Sequence, residues 1–376
     1  MGITGTSPHA IDWDTAQRVG ELIAGSPPYG GVSSRAAQPL AHDFAQRVSD
    51  YTGLELPAEL PPLEMVDRPG WIAANLQTMR PLFDPLADRL GAGGDGLLSG
   101  PLLAASGHLL GAQLGAVTGM LSQRVLGQYD LSLLDASVPP RLLLLAPNLA
   151  AAARTLGVDR DELIAWVAIH EITHAVQFSG APWLREHLGG MLRELLDGLQ
   201  IAPPGRSADG GEGDSTGDGD SSWLRDVRAL LDRARDGELR TLIDRARHGE
   251  LLRIGLGDER WRLVERMQST MSLIEGHAEH TMDAVGVDFL PSLPRLRAAM
   301  TRRRESRGLP WRVLERVLGL ELKMRQYEVG RRFCDAVVEV GGPELLMVAW
   351  RSPEELPSMA ELDEPARWIE RVRVPA

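Results

Sequence analysis

The sequence predicts an α+β protein in which helix predominates, with a small sheet beside one long mid-chain helix. Two observations carry this. Most segments between the Gly- and Pro-rich breaks repeat their apolar residues at helical spacing, and only a few short runs, Arg141 to Leu145 (Arg-Leu-Leu-Leu-Leu) foremost, read as strand. A third observation narrows the class. No Gly-rich loop follows a strand and opens a helix, and no Gly-x-Ser-x-Gly elbow appears, so a nucleotide-binding fold and a serine hydrolase lack support.

Taken in order, Asp12 to Ala24 reads as a helix with Asp12 as its N-cap, followed by a Pro/Gly/Ser loop from Gly25 to Ser34. Ala37 to Thr52 and Gly70 to Leu90 read as the next two helices, the latter punctuated by Pro81 and Pro85. From Gly96 to Gln123 no residue is formally charged, a length that would span a bilayer. Pro101, His108 and Gln113 interrupt it, and no second span or basic flank accompanies it, which argues against a membrane. Gly107, Gly111, Gly115 and Gly119 instead form a smooth stripe, expected on a buried helix packed near the long mid-chain one. Arg124 to Leu134 reads as extended, and Arg141 to Leu145 as a strand that is either a plain core strand or one bordering a substrate cleft.

Asp159 to Phe178 is the long mid-chain helix, capped by Asp159 with Glu162 at capping-box spacing. Pro182 to Leu199 follows as an amphipathic helix. Pro203 to Ser222 is a Gly/Asp/Ser tract with hardly an apolar residue, expected to be a disordered linker. Trp223 to Leu256, Arg260 to Val285, Leu293 to Arg307, Val313 to Glu339 and the short Glu344 to Trp350 read as helices ahead of a proline-bearing tail. The expected organisation is residues 1–200 as an N-terminal helical lobe containing the mid-chain helix, 201–222 as linker, and 223–376 as a second helical lobe.

The mid-chain helix carries His170-Glu171-Ile172-Thr173-His174. Histidines four apart project from one helical face, close enough to bind one cation. Glu171, about a hundred degrees around the helix, can act as general base on a metal-bound water. Zn2+ would bring the pKa of that water down to about 7. Glu171 is the lone charged residue from Leu163 to Phe178, and a carboxylate in so apolar a helix is expensive unless paired or near a metal.

A catalytic zinc of this kind needs a third protein ligand. Leu273 to His280 (Leu-Ile-Glu-Gly-His-Ala-Glu-His) supplies the candidates. Glu275 and Glu279, four apart, share a face, which suits Glu275 as ligand and Glu279 as acceptor of a ligand histidine's far ring N–H. His277, roughly two hundred degrees from Glu275, cannot easily join it on one ion. The competing geometry pairs His277 with His280 and leaves Glu275 outside.

The run from His170 to His174, continued by Ala175-Val176-Gln177-Phe178 and joined by Glu275-Gly276-His277 downstream, resembles the zincin-like metallohydrolases with a glutamate third ligand. More narrowly, it is similar to a bacterial family labelled zinc-dependent metalloprotease, one branch of which carries a deazaflavin-coenzyme-biosynthesis label. Ile11 to Asp14, Val125 to Asp130, Ala146-Pro147-Asn148, Gln326-Tyr327 with Gly330, and Leu356-Pro357 extend the resemblance over nearly the whole chain. It implies a zincin-like fold with a small sheet beside the His-Glu-x-x-His helix, and zinc held by His170, His174 and Glu275. The spacing from His174 to Glu275 exceeds that of compact zincins, and the Pro203 to Ser222 insertion accounts for much of it.

Composition sets the remaining bounds. A formal charge of −12 over 376 residues argues against nucleic acid and anionic membranes as partners. Lys323 is the lone lysine among 40 basic residues, which reads as coding bias. Cys334 is the single cysteine, so no intrachain disulfide forms and a reducing cytoplasm is expected; Met1 to Ala10 lacks the pattern of a signal peptide. The function expected is zinc-dependent hydrolysis of a peptide or small amide, with Glu171 as base and Tyr327 as first candidate for the oxyanion donor, His277 and Tyr129 standing behind it. The alternative is a catalytically weak metal-binding scaffold, or an accessory protein in cofactor biosynthesis.

Overall fold

The computed structural model describes residues 11–25, 38–92, 101–197, 250–287, 290–305 and 320–373. The linker expected at Pro203 to Ser222 and most of the helix expected at Trp223 to Leu256 lie outside the described residues. Helices are α1 (Trp13–Ala24), α2 (Gln38–Thr52), α3 (Arg68–Ala92), α4 (Pro101–Ser122), α5 (Ala146–Leu156), α6 (Arg160–Gly180), α7 (Trp183–Asp197), α8 (Glu250–Gly286), α9 (Leu293–Glu305), α10 (Leu320–Leu346), α11 (Met359–Asp363) and α12 (Pro365–Arg373). Strands β1 (Leu63–Val66), β2 (Gly127–Asp130) and β3 (Arg141–Leu145) form a sheet of order β1-β3-β2. The protein is thus α+β and predominantly helical.

β3 is the middle strand. It runs parallel to β1, with Leu63 opposite Leu142, and antiparallel to β2, with Gly127 opposite Leu144. Its leucine run follows from burial on both faces, where a strand loses its polar alternation. Leu142 and Leu144 join the cluster formed with α6, whereas Leu143 and Leu145 join the one formed with α1 and α3. With both of its edges paired, β3 cannot take up an extended substrate backbone, so of the two readings the sequence left open it is the core strand. The edge on the α6 side belongs to β2.

Helix ends follow local chemistry. Asp12 caps α1 by accepting from the Thr15 N–H at 2.8 Å, and Asp159 caps α6 by accepting from the Glu162 N–H at 2.9 Å. α8 is interrupted at Gly257, whose φ of 78° lies in the left-handed region. The proline-bearing tail is folded rather than irregular. Ser358 and Glu361 form a reciprocal capping box on α11, and Trp368 of α12 is fully buried against Phe333 of α10, ring centroids 5.3 Å apart.

The glycine stripe of α4 meets α1, not the motif helix. A Cβ at Gly111 would strike the Asp12 carbonyl, one at Gly115 the Ala16 carbonyl, and one at Gly119 the Gly20 carbonyl. Two backbones therefore touch along the stripe, which is the reason for Gly111, Gly115 and Gly119 in register. Among the described residues no helix is long and apolar enough to cross a membrane.

These contacts set the sign of a substitution. In an open helix, Gly→Ala gains about 0.5–1 kcal/mol, but overpacking a backbone contact costs roughly 1–3 kcal/mol. Gly115→Ala is therefore expected to destabilise the protein. Gly190→Ala on α7, where nothing lies within 4 Å of the added methyl, is expected to stabilise it. Urea unfolding of both variants checks the opposite signs.

Candidate metal centre

α6 is apolar on nearly every side and buried from Leu163 through Gln177 except at Ala165 and His170, the latter partly exposed. The four-residue spacing brings the two histidines together, with ring centroids 4.7 Å apart and Nε2 atoms 3.3 Å apart. α8 crosses α6 and places the Glu275 Oε2 atom 3.6 Å from His170 Nε2 and 3.5 Å from His174 Nε2. One donor atom from each of the three residues lies within 4.8 Å of the other two.

This triangle has the size a metal requires. Bonds of about 2.0–2.1 Å in a tetrahedron separate ligand atoms by roughly 3.3–3.4 Å, against the 3.3, 3.5 and 3.6 Å found here. The electrostatics point the same way. Burial disfavours a charged His174 ring, but the hydrogen bond and charge of Glu275, aided by Glu171 and Gln177, outweigh it and lift His174 to about 9. Two carboxylates and two imidazoles thus build a pocket that favours positive charge between them, a donor set that suits a divalent cation.

Glu171 approaches from the sheet side. Its Oε2 accepts from the Tyr129 N–H at 2.7 Å, so an outward-facing amide of β2 holds the carboxylate in place. Burial raises the Glu171 pKa, His170 and His174 oppose the rise, and Glu275 adds to it. Gly127 makes the approach feasible: a Cβ there would stand 2.6 Å from the Val167 Cγ1 and 2.7 Å from the Glu171 Oε1.

The residue that ties the site to α8 is Gln177, which is fully buried. Its amide nitrogen donates to the Ile274 carbonyl at 2.9 Å, and since a carbonyl only accepts, this contact fixes which end of the amide is nitrogen. It follows that Gln177 Nε2 also donates to His277 Nδ1 at 2.8 Å, and that Gln177 Oε1 accepts from His174 Nδ1–H at 2.8 Å. The proton on His174 is thereby held at Nδ1, leaving Nε2 directed at the site. Its signal in the sequence was a lone amide one turn after His174 in an apolar helix.

Gly276, beside Glu275, sets the level of α8. A Cβ there would collide with the backbone at Gly330 of α10, and a Cβ at Gly330 would collide with the Ser272 carbonyl. The two helices meet backbone to backbone next to the carboxylate.

The remaining expected residues are placed differently. Glu279 is buried, but the far ring nitrogen of His174 belongs to Gln177; the charge of Glu279 acts on Arg297. His277 is buried between Gln177 and the Trp350 ring, centroids 4.9 Å apart, and burial followed by the His280 and His174 charges lowers it to about 3. It is a neutral ring that accepts from Gln177. His280 bonds Tyr51 Oη at 2.7 Å and Asp335 at 2.6 Å, so the His277 and His280 pair is not gathered with His170 and His174. The Tyr129 ring packs on Phe178 at 5.9 Å and burial pushes its phenol up to about 12; its backbone N–H, rather than its hydroxyl, meets Glu171. Tyr327 stands on α10, and its side chain lies outside the described residues.

Comparison with known proteins agrees with this geometry. The chain is similar to the crystal structure of a candidate hydrolase with a novel fold from Chloroflexus aurantiacus, with a TM-score of 0.67 and 29% identity over 97% of this chain and 100% of that one. No curated protein matches it. Residues 11–369 match the family described as zincin-like metallopeptidase. With that match spanning the sheet, the histidine helix and the crossing helix that carries Glu275, the chain belongs to the zincin-like metallopeptidase family.

Proposed function

We propose that the protein is a zinc-dependent hydrolase of amide bonds in peptides, with His170, His174 and Glu275 as the metal ligands and Glu171 as general base. The observation that carries the reading is the matched size of the ligand triangle together with Glu171 held beside it by the Tyr129 N–H. When bound, zinc would supply a Lewis acid and lower the pKa of a water to about 7. A scaffold that only bound metal would need the imidazoles but no buried carboxylate aimed by a strand amide.

Each protein group has a part to play. The Tyr129 N–H fixes one carboxylate oxygen of Glu171, leaving the other to take a proton and later hand it to a leaving amine. Gln177 fixes the His174 tautomer, so that Nε2 presents a lone pair. β2 is the sheet edge beside Glu171; its Tyr129 N–H is already taken by that carboxylate, so an extended peptide laid along it would pair with the remaining outward-facing backbone groups. Such pairing aligns a backbone without reading its side chains, which supports a peptide over a small amide as substrate.

Elemental analysis is expected to find one zinc per chain. Glu171→Gln should keep that metal while lowering kcat/KM on a broad peptide library by about a hundred- to ten-thousand-fold. Stoichiometric zinc with no turnover in either protein would overturn the hydrolase reading in favour of a scaffold. Glu275→Ala should lose the metal; its retention would exclude Glu275 as ligand. Gln177→Ala should weaken zinc affinity by about 10–100-fold, measured by competition with a chromophoric chelator, whereas an unchanged affinity would remove Gln177 from the site.

A further inference from the structure

A cavity that shares none of the candidate metal ligands opens at the carboxyl ends of the parallel strands β1 and β3. Its volume is about 320 Å³, at the lower end of the range that small-molecule sites occupy. Arg68 follows β1 by two residues and Asn148 follows β3 by three, and both line it. Ligands of open α/β sheets collect at this end of parallel strands, because the chain turns outward there on both.

The lining is unusual for this chain. It contains Arg68, Arg302 and Arg303 with no aspartate or glutamate among the described residues, although acidic residues outnumber basic ones 52 to 40 in the sequence. Arg68 is aimed rather than loose. Its Nε donates to Asn148 Oδ1 at 3.0 Å and its Nη1 to the Ala24 carbonyl at 2.5 Å, while Nη2 makes no hydrogen bond among the described residues. Asn148 is held in turn, since its amide nitrogen donates to the Ser122 and Val125 carbonyls at 2.7 and 2.6 Å. Arg303 is half-buried and donates to the Arg124 carbonyl at 2.9 Å. Ala152 and Leu156 of α5 give the cavity an apolar wall.

We propose that this cavity binds a small organic phosphate, its phosphoryl oxygens taken by the guanidinium groups of Arg68, Arg302 and Arg303 and its organic part lying on Ala152 and Leu156. Guanidinium forks match phosphate oxygens in pairs, and three positive charges suit a dianion better than a single carboxylate. Burial lowers the pKa of Arg68, so an arriving anion relieves a cost already present in the fold. The net charge of −12 repels anions at long range, so recognition here is local. This inference does not rest on the hydrolase reading.

Phenyl phosphate is the probe, titrated calorimetrically into the full-length, metal-loaded protein at low ionic strength, with benzoate as the carboxylate comparison. The expected result is saturable one-to-one binding of phenyl phosphate, weaker binding of benzoate, and at least a ten-fold loss of phenyl phosphate affinity in Arg302→Gln and in Arg303→Gln, with zinc content unchanged. Arg302 is exposed on α9, so its replacement leaves the fold intact even if Arg303→Gln does not. Absence of saturable binding would overturn the proposal. So would phenyl phosphate affinity that survives in Arg302→Gln, which would assign the binding to the metal centre, or benzoate binding more tightly than phenyl phosphate.

Discussion

The amide of Gln177 joins the two helices on which the candidate centre is built. It reaches from α6 to the Ile274 carbonyl and the His277 ring on α8, and it also accepts from His174. Each bond lies in the interior, where an unmade hydrogen bond to a buried polar group costs about 1–3 kcal/mol. The register of α8 against α6 is therefore locked: a slip of one residue would strand the amide and its partners together. Because Ile274 precedes Glu275, the same lock determines where the carboxylate stands relative to the two imidazoles. His277 completes the arrangement as a buried neutral ring braced on Trp350.

Glycine serves as the second positioning device, in three places and with one logic. At Gly127 it admits the Glu171 carboxylate to the edge of β2, at Gly276 and Gly330 it lets α8 and α10 touch, and along α4 it lets that helix lie on α1. At each position a methyl group would meet backbone or a side chain that has nowhere to go. The sheet, the base and the third candidate ligand are thus set by distances of closest approach rather than by side-chain interdigitation. This tolerates little substitution but gives placement to within a few tenths of an ångström.

Much of this was legible in the residues. The long helices announced themselves by periodicity, Asp12 and Asp159 by capping chemistry, and β3 by a leucine run bounded by proline and arginine. The histidine pair and Glu275 stood out because charge and imidazole are costly in apolar helices unless they have work there. What escaped was of three kinds. β1 is four residues long with a mixed burial pattern, too short to show a period. α5, α11 and α12 are short helices of about three turns or fewer, too brief for a period to stand out. The partners of long-range contacts, Gln177 with His277 and Tyr129 with Glu171, lie 100 and 42 residues apart and leave no trace in local spacing.

The distance along the chain between His174 and Glu275 also matters while the protein is being made. A nascent polypeptide that has emerged only as far as α7 carries both imidazoles and Glu171 but lacks the Glu275 carboxylate, the Ile274 carbonyl and the His277 ring that stand against them. The candidate metal centre therefore stays incomplete on the ribosome, and it can be assembled only after α8 has been synthesised and has docked.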